Sequence, residues 1–344
     1  MRFSYNLFIL FVLLFLVGCN NNKDKDIPDV SGVTVNLKIH RFDQELFRID
    51  TNQVAMGIEQ LEEKYPDFTK FYLERVLQIK KPWDTVGLYR EYIGGFLTYP
   101  FVRILHEKVD QVYSNFAPIQ EDLEEGFRFY KYYFPENEVP EIYTFVSEFT
   151  YGIVLPPEGN TLAIGLDFFL GEDFEYYYYP PLSLPRYIAR TYDKQHLVSK
   201  VFKGIIEDLA GPVKGNRFID HIIHNGKKTY ILDKLLPYTQ DSIKLGFTTQ
   251  QLEWVETNEL DTWVYLLKEE IMYSDDYQNF KSLVSIAPRS AGMPEESPGE
   301  VGNWVGWQIV KAYMNRNPQI TLSQLLAEED LQQILIKSKY KPKR

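Results

Sequence analysis

The sequence is poor in cysteine and has no surplus of basic residues. Its 344 residues include one cysteine, Cys19, which excludes an intramolecular disulfide and a zinc site built from two or more cysteines. It contains 37 Lys and Arg against 48 Asp and Glu, for a formal net charge of −11. Because contact with nucleic-acid phosphates requires a basic surplus, we expect no nucleic-acid partner.

The sequence also has no apolar run long enough to span a bilayer. Leu7–Val17 has eleven apolar residues, whereas a spanning helix needs about 20. The run follows Arg2 and precedes Gly18-Cys19, an arrangement typical of a bacterial lipoprotein leader. We therefore predict a signal peptide over 1–18 and a lipidated Cys19 that binds the lipid bilayer. The alternatives are an ordinary signal peptide or a short buried segment that ends in cysteine.

The residues after Cys19 are polar and charged, and they predict a flexible tether over 19–32. Asn20, rather than Asp, follows the predicted lipid site. By analogy this favours the outer membrane, with the periplasmic and surface faces both open. An apolar content of 44%, with no internal repeat and no later Gly/Ser linker, predicts one globular domain over 33–344.

Hydrophobic periodicity predicts a mainly α (α+β) fold, a single helical domain with a small β-sheet. The predicted strands are 33–40, Ile142–Val146 and Thr161–Leu166, and Tyr176–Tyr179 before Pro180-Pro181 predicts an extended loop. Gly302 and Gly306, four residues apart, predict close helix packing. The predicted helices cover about 52–64, 66–76, 87–97, 100–113, 118–134, 185–191, 196–209, 216–236, 248–272, 276–284, 300–315 and 321–337.

Asp220, His221 and His224 form a cluster of polar residues that could carry chemistry. On the predicted helix they lie opposite an apolar stripe, and the favoured interpretation is that the two histidines are solvated or bonded to the backbone. Two histidines three residues apart with a carboxylate could also bind a divalent metal, which is the less favoured interpretation. The sequence lacks phosphate-loop, dinucleotide and serine-hydrolase motifs. We therefore predict no catalytic residue, no metal and no cofactor.

Tyr176, Tyr177, Tyr178 and Tyr179 form an unbroken aromatic tract. Such a tract could be a stacking platform for a sugar or a protein partner. It could equally be a loop packed half-buried against the domain. With Asp220, His221 and His224, these tyrosines are the candidate interaction residues.

Nearly the whole chain resembles the GldB family of gliding-motility lipoproteins from the Bacteroidetes. The ordered set of segments carries the resemblance, and no one segment is diagnostic. The segments are Leu16–Cys19, Arg41–Phe47, Ile164–Gly171, Pro185–Tyr187, Asp220–Lys228 running on to Leu235–Pro237, and Val301–Gly306.

The resemblance implies a non-enzymatic binding or scaffolding lipoprotein of the cell envelope, required for gliding, with other gliding or envelope proteins as partners. A more distant likeness to zincin-like peptidases implies a degenerate peptidase architecture. Asn225-Gly226 stands where that family has Glu-Gly, and H-E-x-x-H is missing. Two alternatives stay open: a cryptic metallohydrolase using His221, His224 and Asp220 or Glu207, and a cell-wall glycan-binding module using the tyrosine tract.

Overall fold

The computed structural model describes residues 27–79, 88–157 and 159–343. The chain divides into two units, residues 1–32 and 33–344. Of the first unit only 27–32 are described, and there the backbone N–H of Ser31 donates to the Asp29 carboxylate at 2.9 Å. The helices and strands below all belong to the second unit. The predicted leader over 1–18 and Cys19 lie outside the described residues.

A small, mostly parallel sheet contains four strands in the order β1-β2-β4-β3. β2 and β4 are parallel, with Glu141 opposite Thr161 and Phe145 opposite Gly165, whereas β3 is antiparallel to β4. The last four residues of both β2 and β4 are buried, as expected for parallel strands covered on both faces. The strands are Ile39–His40 (β1), Glu141–Phe145 (β2), Ile153–Val154 (β3) and Thr161–Gly165 (β4).

Helices make up most of the second unit, which confirms the predicted mainly α fold with a small sheet. The α-helices are Phe42–Phe47 (α1), Val54–Lys64 (α2), Pro66–Phe71 (α3, continued by a π-helical turn over Tyr72–Val76), Leu88–Thr98 (α4), Pro100–Val112 (α5), Ala117–Tyr133 (α6), Arg186–Ala189 (α7), Lys194–Ala210 (α8), Phe218–Leu235 (α9), Asp241–Leu245 (α10), Thr249–Thr257 (α11), Glu259–Lys268 (α12), Tyr277–Val284 (α13), Val301–Arg316 (α14), Leu322–Ala327 (α15) and Leu331–Ser338 (α16). Within the described ranges, no helix combines the length and apolar character that crossing a bilayer requires.

Two glycines let α9 and α14 cross in direct backbone contact. A Cβ on Gly306 would lie 1.8 Å from the Ile222 carbonyl oxygen, and one on Gly226 would lie 2.3 Å from the Gly306 carbonyl carbon. Only glycine fits such an approach, because any side chain would push the helices apart. The prediction of close packing at Gly302 and Gly306 is therefore confirmed.

The predicted strand over 33–40 is wrong except at its last two residues. In the parallel register Ile39 lies opposite Ile142, so 33–37 would need partners at 136–140. That stretch ends at Pro140, which has no N–H to donate to a ladder. The alternating pattern of 33–40 is genuine, but no strand is there for 33–37 to pair with.

Two predicted long helices are each divided in two. The helix predicted over 248–272 breaks at Asn258, whose side-chain amide donates to the Trp254 carbonyl at 2.8 Å and ends α11. The helix predicted over 321–337 breaks before Asp330, whose carboxylate accepts the Gln333 N–H and starts α16. Short polar side chains that bond to the backbone favour helix ends over helix interiors. The short helices α1 and α10 were not predicted.

Candidate functional site

A cavity of about 340 Å³ lies among α8, α9, the start of α14 and the two segments at 243–247 and 284–300. This volume is within the range of ligand sites, which are roughly 300–1,000 Å³. One part of its wall is apolar and the other part carries charge. The apolar lining comprises Ile188, Ile206, Leu232, Ile243, Leu245, Phe247, Val284 and Ile286.

Helix α8 supplies much of the polar wall. It starts at Asp193, whose carboxylate accepts the backbone N–H of His196 at 3.0 Å and contacts the His196 ring nitrogen Nδ1 at 2.8 Å. Ser199, Lys200 and Lys203 follow at helical spacing, so they share the face that lines the cavity. Val201, Phe202 and Ile205 are buried. The amphipathic pattern of α8 thus places ammonium groups in an enclosed space.

The lysines of the cavity differ in how they are paired. Lys228 forms a 2.7 Å ion pair with Glu207, and the Lys200 ammonium lies 4.7 Å from the centroid of the Tyr192 ring. Lys203 makes no hydrogen bond and no ion pair with any residue that the structure describes. Lys203 is an exposed residue that lines the cavity, and the Glu300 carboxylate is its nearest opposite charge there.

Burial shifts the pKa values of these groups toward their neutral forms. Burial, together with the neighbouring Lys203 charge, lowers the pKa of Lys200 to about 8. Burial lowers the pKa of Lys203 as well. Burial raises the pKa of the Glu300 carboxyl, which accepts a 3.1 Å hydrogen bond from the Asn303 side chain. Holding these charges in the cavity therefore costs free energy in the absence of a counter-charge.

Two buried polar atoms along the cavity lack a hydrogen-bond partner among the described residues. They are the Ser199 hydroxyl and the Nε of Arg190. The Nη2 of Arg190 is satisfied, because it donates to the Gly246 carbonyl at 2.9 Å and the Gln251 side chain at 2.8 Å. Since buried polar atoms are normally paired, these two indicate a place where an external acceptor fits.

The structure does not assemble Asp220, His221 and His224 into one site. The carboxylate of Asp220 is buried and accepts hydrogen bonds from the Arg217 guanidinium at 2.8 and 3.0 Å and from the Arg217 backbone N–H at 3.1 Å. It therefore caps α9. The His221 ring lies 5.5 Å from the ring centroids of Tyr277 and Phe280.

Asp220 and His224 are buried, so the side of α9 opposite the apolar stripe is not solvated at these two residues. Helix α9 is surrounded by other helices, so its polar side is covered as well as its apolar stripe. Burial, together with the positive charges of Lys228 and Lys227, lowers the pKa of His224 to about 4. Across the described ranges, no three His, Cys, Asp or Glu side chains lie close enough to hold a metal.

The tyrosine tract is a short 3₁₀ helix, Glu175–Tyr178, and not the predicted extended loop. Tyr177 is fully buried; its hydroxyl donates to the Asp167 carbonyl and accepts the Leu170 N–H, both at 2.9 Å. Tyr178 is half-buried and donates to the Glu172 carbonyl. Tyr179 is 51% exposed, and Tyr176 is half-buried against Phe101 and Phe174. The four rings therefore do not present one continuous surface.

Sequence reasoning missed the cavity. The signal was present in the predicted helix 196–209, where Ser199, Lys200, Lys203 and Glu207 recur at helical spacing. Charged residues in that pattern also mark a solvated helix face, which is far more common. The segments at 243–247 and 284–300, which enclose the lysines, are distant in sequence, so the pattern of α8 alone could not reveal the enclosure.

Comparison with known proteins gives one match. A family model described as gliding motility protein GldB matches residues 23–342. No curated protein and no solved structure matches the chain. The distant likeness to zincin-like peptidases thus stays a prediction. Because the match extends over nearly the entire chain, the protein belongs to the GldB family of gliding motility proteins.

Proposed function

We propose that this protein is a membrane-anchored lipoprotein of the cell envelope that acts in gliding motility as a non-enzymatic binding component. The observation that carries the proposal is the family match over residues 23–342. Its partners would be the bilayer, through acylated Cys19, and other gliding or envelope proteins. Asn20 after the lipid site favours the outer membrane.

The geometry supports a binding role over a catalytic one. The charged groups of the cavity are mainly lysines and an arginine, which attract and hold anions. His221 and His224, which the sequence singled out, do not line the cavity. The Asp220 carboxylate accepts a hydrogen bond from the Arg217 guanidinium. A cavity with a charged and an apolar wall is the kind of site that recognises a ligand by shape and charge.

Replacing the lipid-bearing residue tests the anchor. In cells that lack the native copy, Cys19→Ala should leave the membrane fraction and abolish gliding, because acyl chains hold the chain on the bilayer. The matched control keeps Cys19 and replaces the exposed Lys214 with Ala, which should glide normally. A third strain exports the domain behind an ordinary secretory signal. Gliding at the wild-type rate by that unacylated protein would refute the proposal.

A further inference from the structure

The cavity holds positive charge that the described residues do not neutralise. Four basic side chains line it, Arg190, Lys200, Lys203 and Lys228, against two carboxylates, Glu207 and Glu300. With His196 counted as neutral, this leaves a formal excess of two positive charges. The excess is local, because the whole chain carries a formal net charge of −11.

Elsewhere the same fold neutralises or caps its buried lysines. The ammonium of Lys227 donates to the backbone carbonyls of Leu326 and Glu328, at 3.1 and 2.9 Å. Lys244 pairs with Asp233 and with Asp241. Lys203 has neither kind of partner among the described residues, and the Glu300 carboxylate attracts its charge without forming an ion pair. Because Lys200 and Lys228 face the same carboxylate, the cavity keeps a net positive charge, which favours an external anion.

The unpaired polar atoms identify the kind of group that fits. Ser199 is 2% exposed, and its hydroxyl has no partner among the described residues. Arg190 is half-buried as a residue, but its Nε–H is buried and also lacks a partner there. Both can donate a hydrogen bond to an oxygen. The cavity is therefore lined by several hydrogen-bond donors: ammonium groups from α8 and α9, the Ser199 hydroxyl and the Arg190 Nε–H.

We propose that this cavity binds a phosphate group carried on a small apolar or aromatic molecule. A phosphate monoester carries about −1.5 to −2 charges at pH 7 and three acceptor oxygens, which matches an excess of two positive charges and several unused donors. Lysine is a common ligand of phosphate and binds it as a point charge. The body of the ligand would pack on the apolar wall formed by residues such as Ile188, Leu232 and Phe247.

This inference rests on the proposed binding role and specifies its ligand. The test uses the full-length protein in detergent and calorimetric titration with four probes: phenyl phosphate, inorganic phosphate, benzoate and sodium chloride at matched ionic strength. Phenyl phosphate should bind at least tenfold more tightly than inorganic phosphate or benzoate, and chloride should show no saturable binding. Equal binding of benzoate, or no saturable binding of phenyl phosphate, would overturn the assignment.

Variants locate the binding in the cavity. Lys203→Met should weaken phenyl phosphate binding at least tenfold while leaving the melting temperature of the ligand-free protein unchanged or higher. Lys214→Met removes an exposed lysine and should bind like the wild type. If Lys203→Met does not fold, Ser199→Ala provides the same test, since it removes one donor and no charge. Wild-type affinity in the folded variant would place the ligand elsewhere and overturn the proposal.

The two proposals fail separately. Absence of phosphate binding, with gliding that still depends on Cys19, would overturn the ligand assignment alone. Gliding that does not depend on Cys19, with tight phosphate binding in vitro, would overturn the anchoring role alone. A short-chain phosphatidic acid added as a fifth probe distinguishes sources of the phosphate: tighter binding than phenyl phosphate indicates a lipid headgroup, and weaker binding indicates a soluble ester.

Discussion

Helix α9 has two contrasting sides. Toward α14 it is packed so closely that Gly226 and Gly306 leave no room for a methyl group. Toward the cavity it presents Asn225, Lys228 and Thr229 to an enclosed space. The side of α9 that faces α14 therefore cannot accept an added methyl group, whereas the side that faces the cavity leaves room for a ligand. The first side contributes to stability, and the second lies next to charged groups that could bind a ligand.

Several polar groups follow the same division. In the packed regions the buried Lys227 and Tyr177 have partners, although the Nε1 of Trp307, the Nε2 of His106 and the Thr262 hydroxyl have none among the described residues. At the cavity, Lys203, the Ser199 hydroxyl and the Arg190 Nε lack them among the described residues. Local departures from polar satisfaction are expected at functional sites, where stability is given up for binding. The predictions below test this division directly.

The largest effect should come from Gly306→Ala at the crossing of α9 and α14. Its Cβ would lie 1.8 Å from the Ile222 carbonyl oxygen, so the two helices must move apart. We expect the free energy of unfolding to fall by about 3 kcal/mol or more. Denaturant unfolding followed by far-UV circular dichroism measures this.

Gly95→Ala is the matched control for that substitution. Gly95 lies within α4, and nothing lies within 4 Å of the place its Cβ would occupy. Alanine there should raise the free energy of unfolding by about 0.5–1 kcal/mol, because glycine is a poor helix former. Similar destabilisation by both substitutions would show that the crossing is not special.

A smaller loss should follow from Tyr177→Phe, which removes a buried hydroxyl that has two partners. The Asp167 carbonyl and the Leu170 N–H would both lose their hydrogen bond. Leaving them unsatisfied should cost about 1–3 kcal/mol. Tyr179→Phe is the control, because Tyr179 is half exposed, and it should change stability by less than about 0.5 kcal/mol. Equal effects of the two variants in thermal unfolding would contradict the assigned burial.

Ser199→Ala should have the opposite sign, because that hydroxyl is buried without a partner among the described residues. Removing it should raise the free energy of unfolding by about 1 kcal/mol in the ligand-free protein. The comparison with Tyr177→Phe is direct, since each variant deletes one buried hydroxyl. Destabilisation by Ser199→Ala would mean that the hydroxyl is satisfied and the contrast between the regions is false.

The last prediction concerns the pH dependence of stability. The pKa of Lys200 is about 8 in the folded chain against 10.5 for an ordinary lysine, with Lys203, Glu300 and Asp193 as its charged neighbours. Between these values the unfolded chain binds more protons, so the wild type should gain stability as pH rises from 8 toward 10. Lys200→Met should lack that gain, as unfolding at pH 7.5 and 9.5 would measure. Parallel pH profiles of the two proteins would contradict it.

Much of the fold follows from local pattern, whereas the site does not. Helices α8 and α9 and strands β2 and β4 were predictable, because each carries a regular apolar pattern over its length. The glycine crossing was predictable from Gly302 and Gly306. The burial of Asp220 and His224 was not, since it depends on the helices that cover the polar side of α9. The hydrogen-bond partners of Tyr177, at Asp167 and Leu170, are close to it in sequence. The sequence alone does not show that their backbone groups face the Tyr177 hydroxyl.

The outer strands of the sheet, β1 and β3, have two residues each. Chains that recognise one another by strand addition need a long row of free backbone donors and acceptors at a sheet edge. Edges this short are a poor template for that pairing, and they also limit unwanted polymerisation. Cross-linking of neighbouring proteins should therefore be sought through reactive groups placed on exposed helices, such as at Tyr92 on α4 or Ile336 on α16, before the sheet edges.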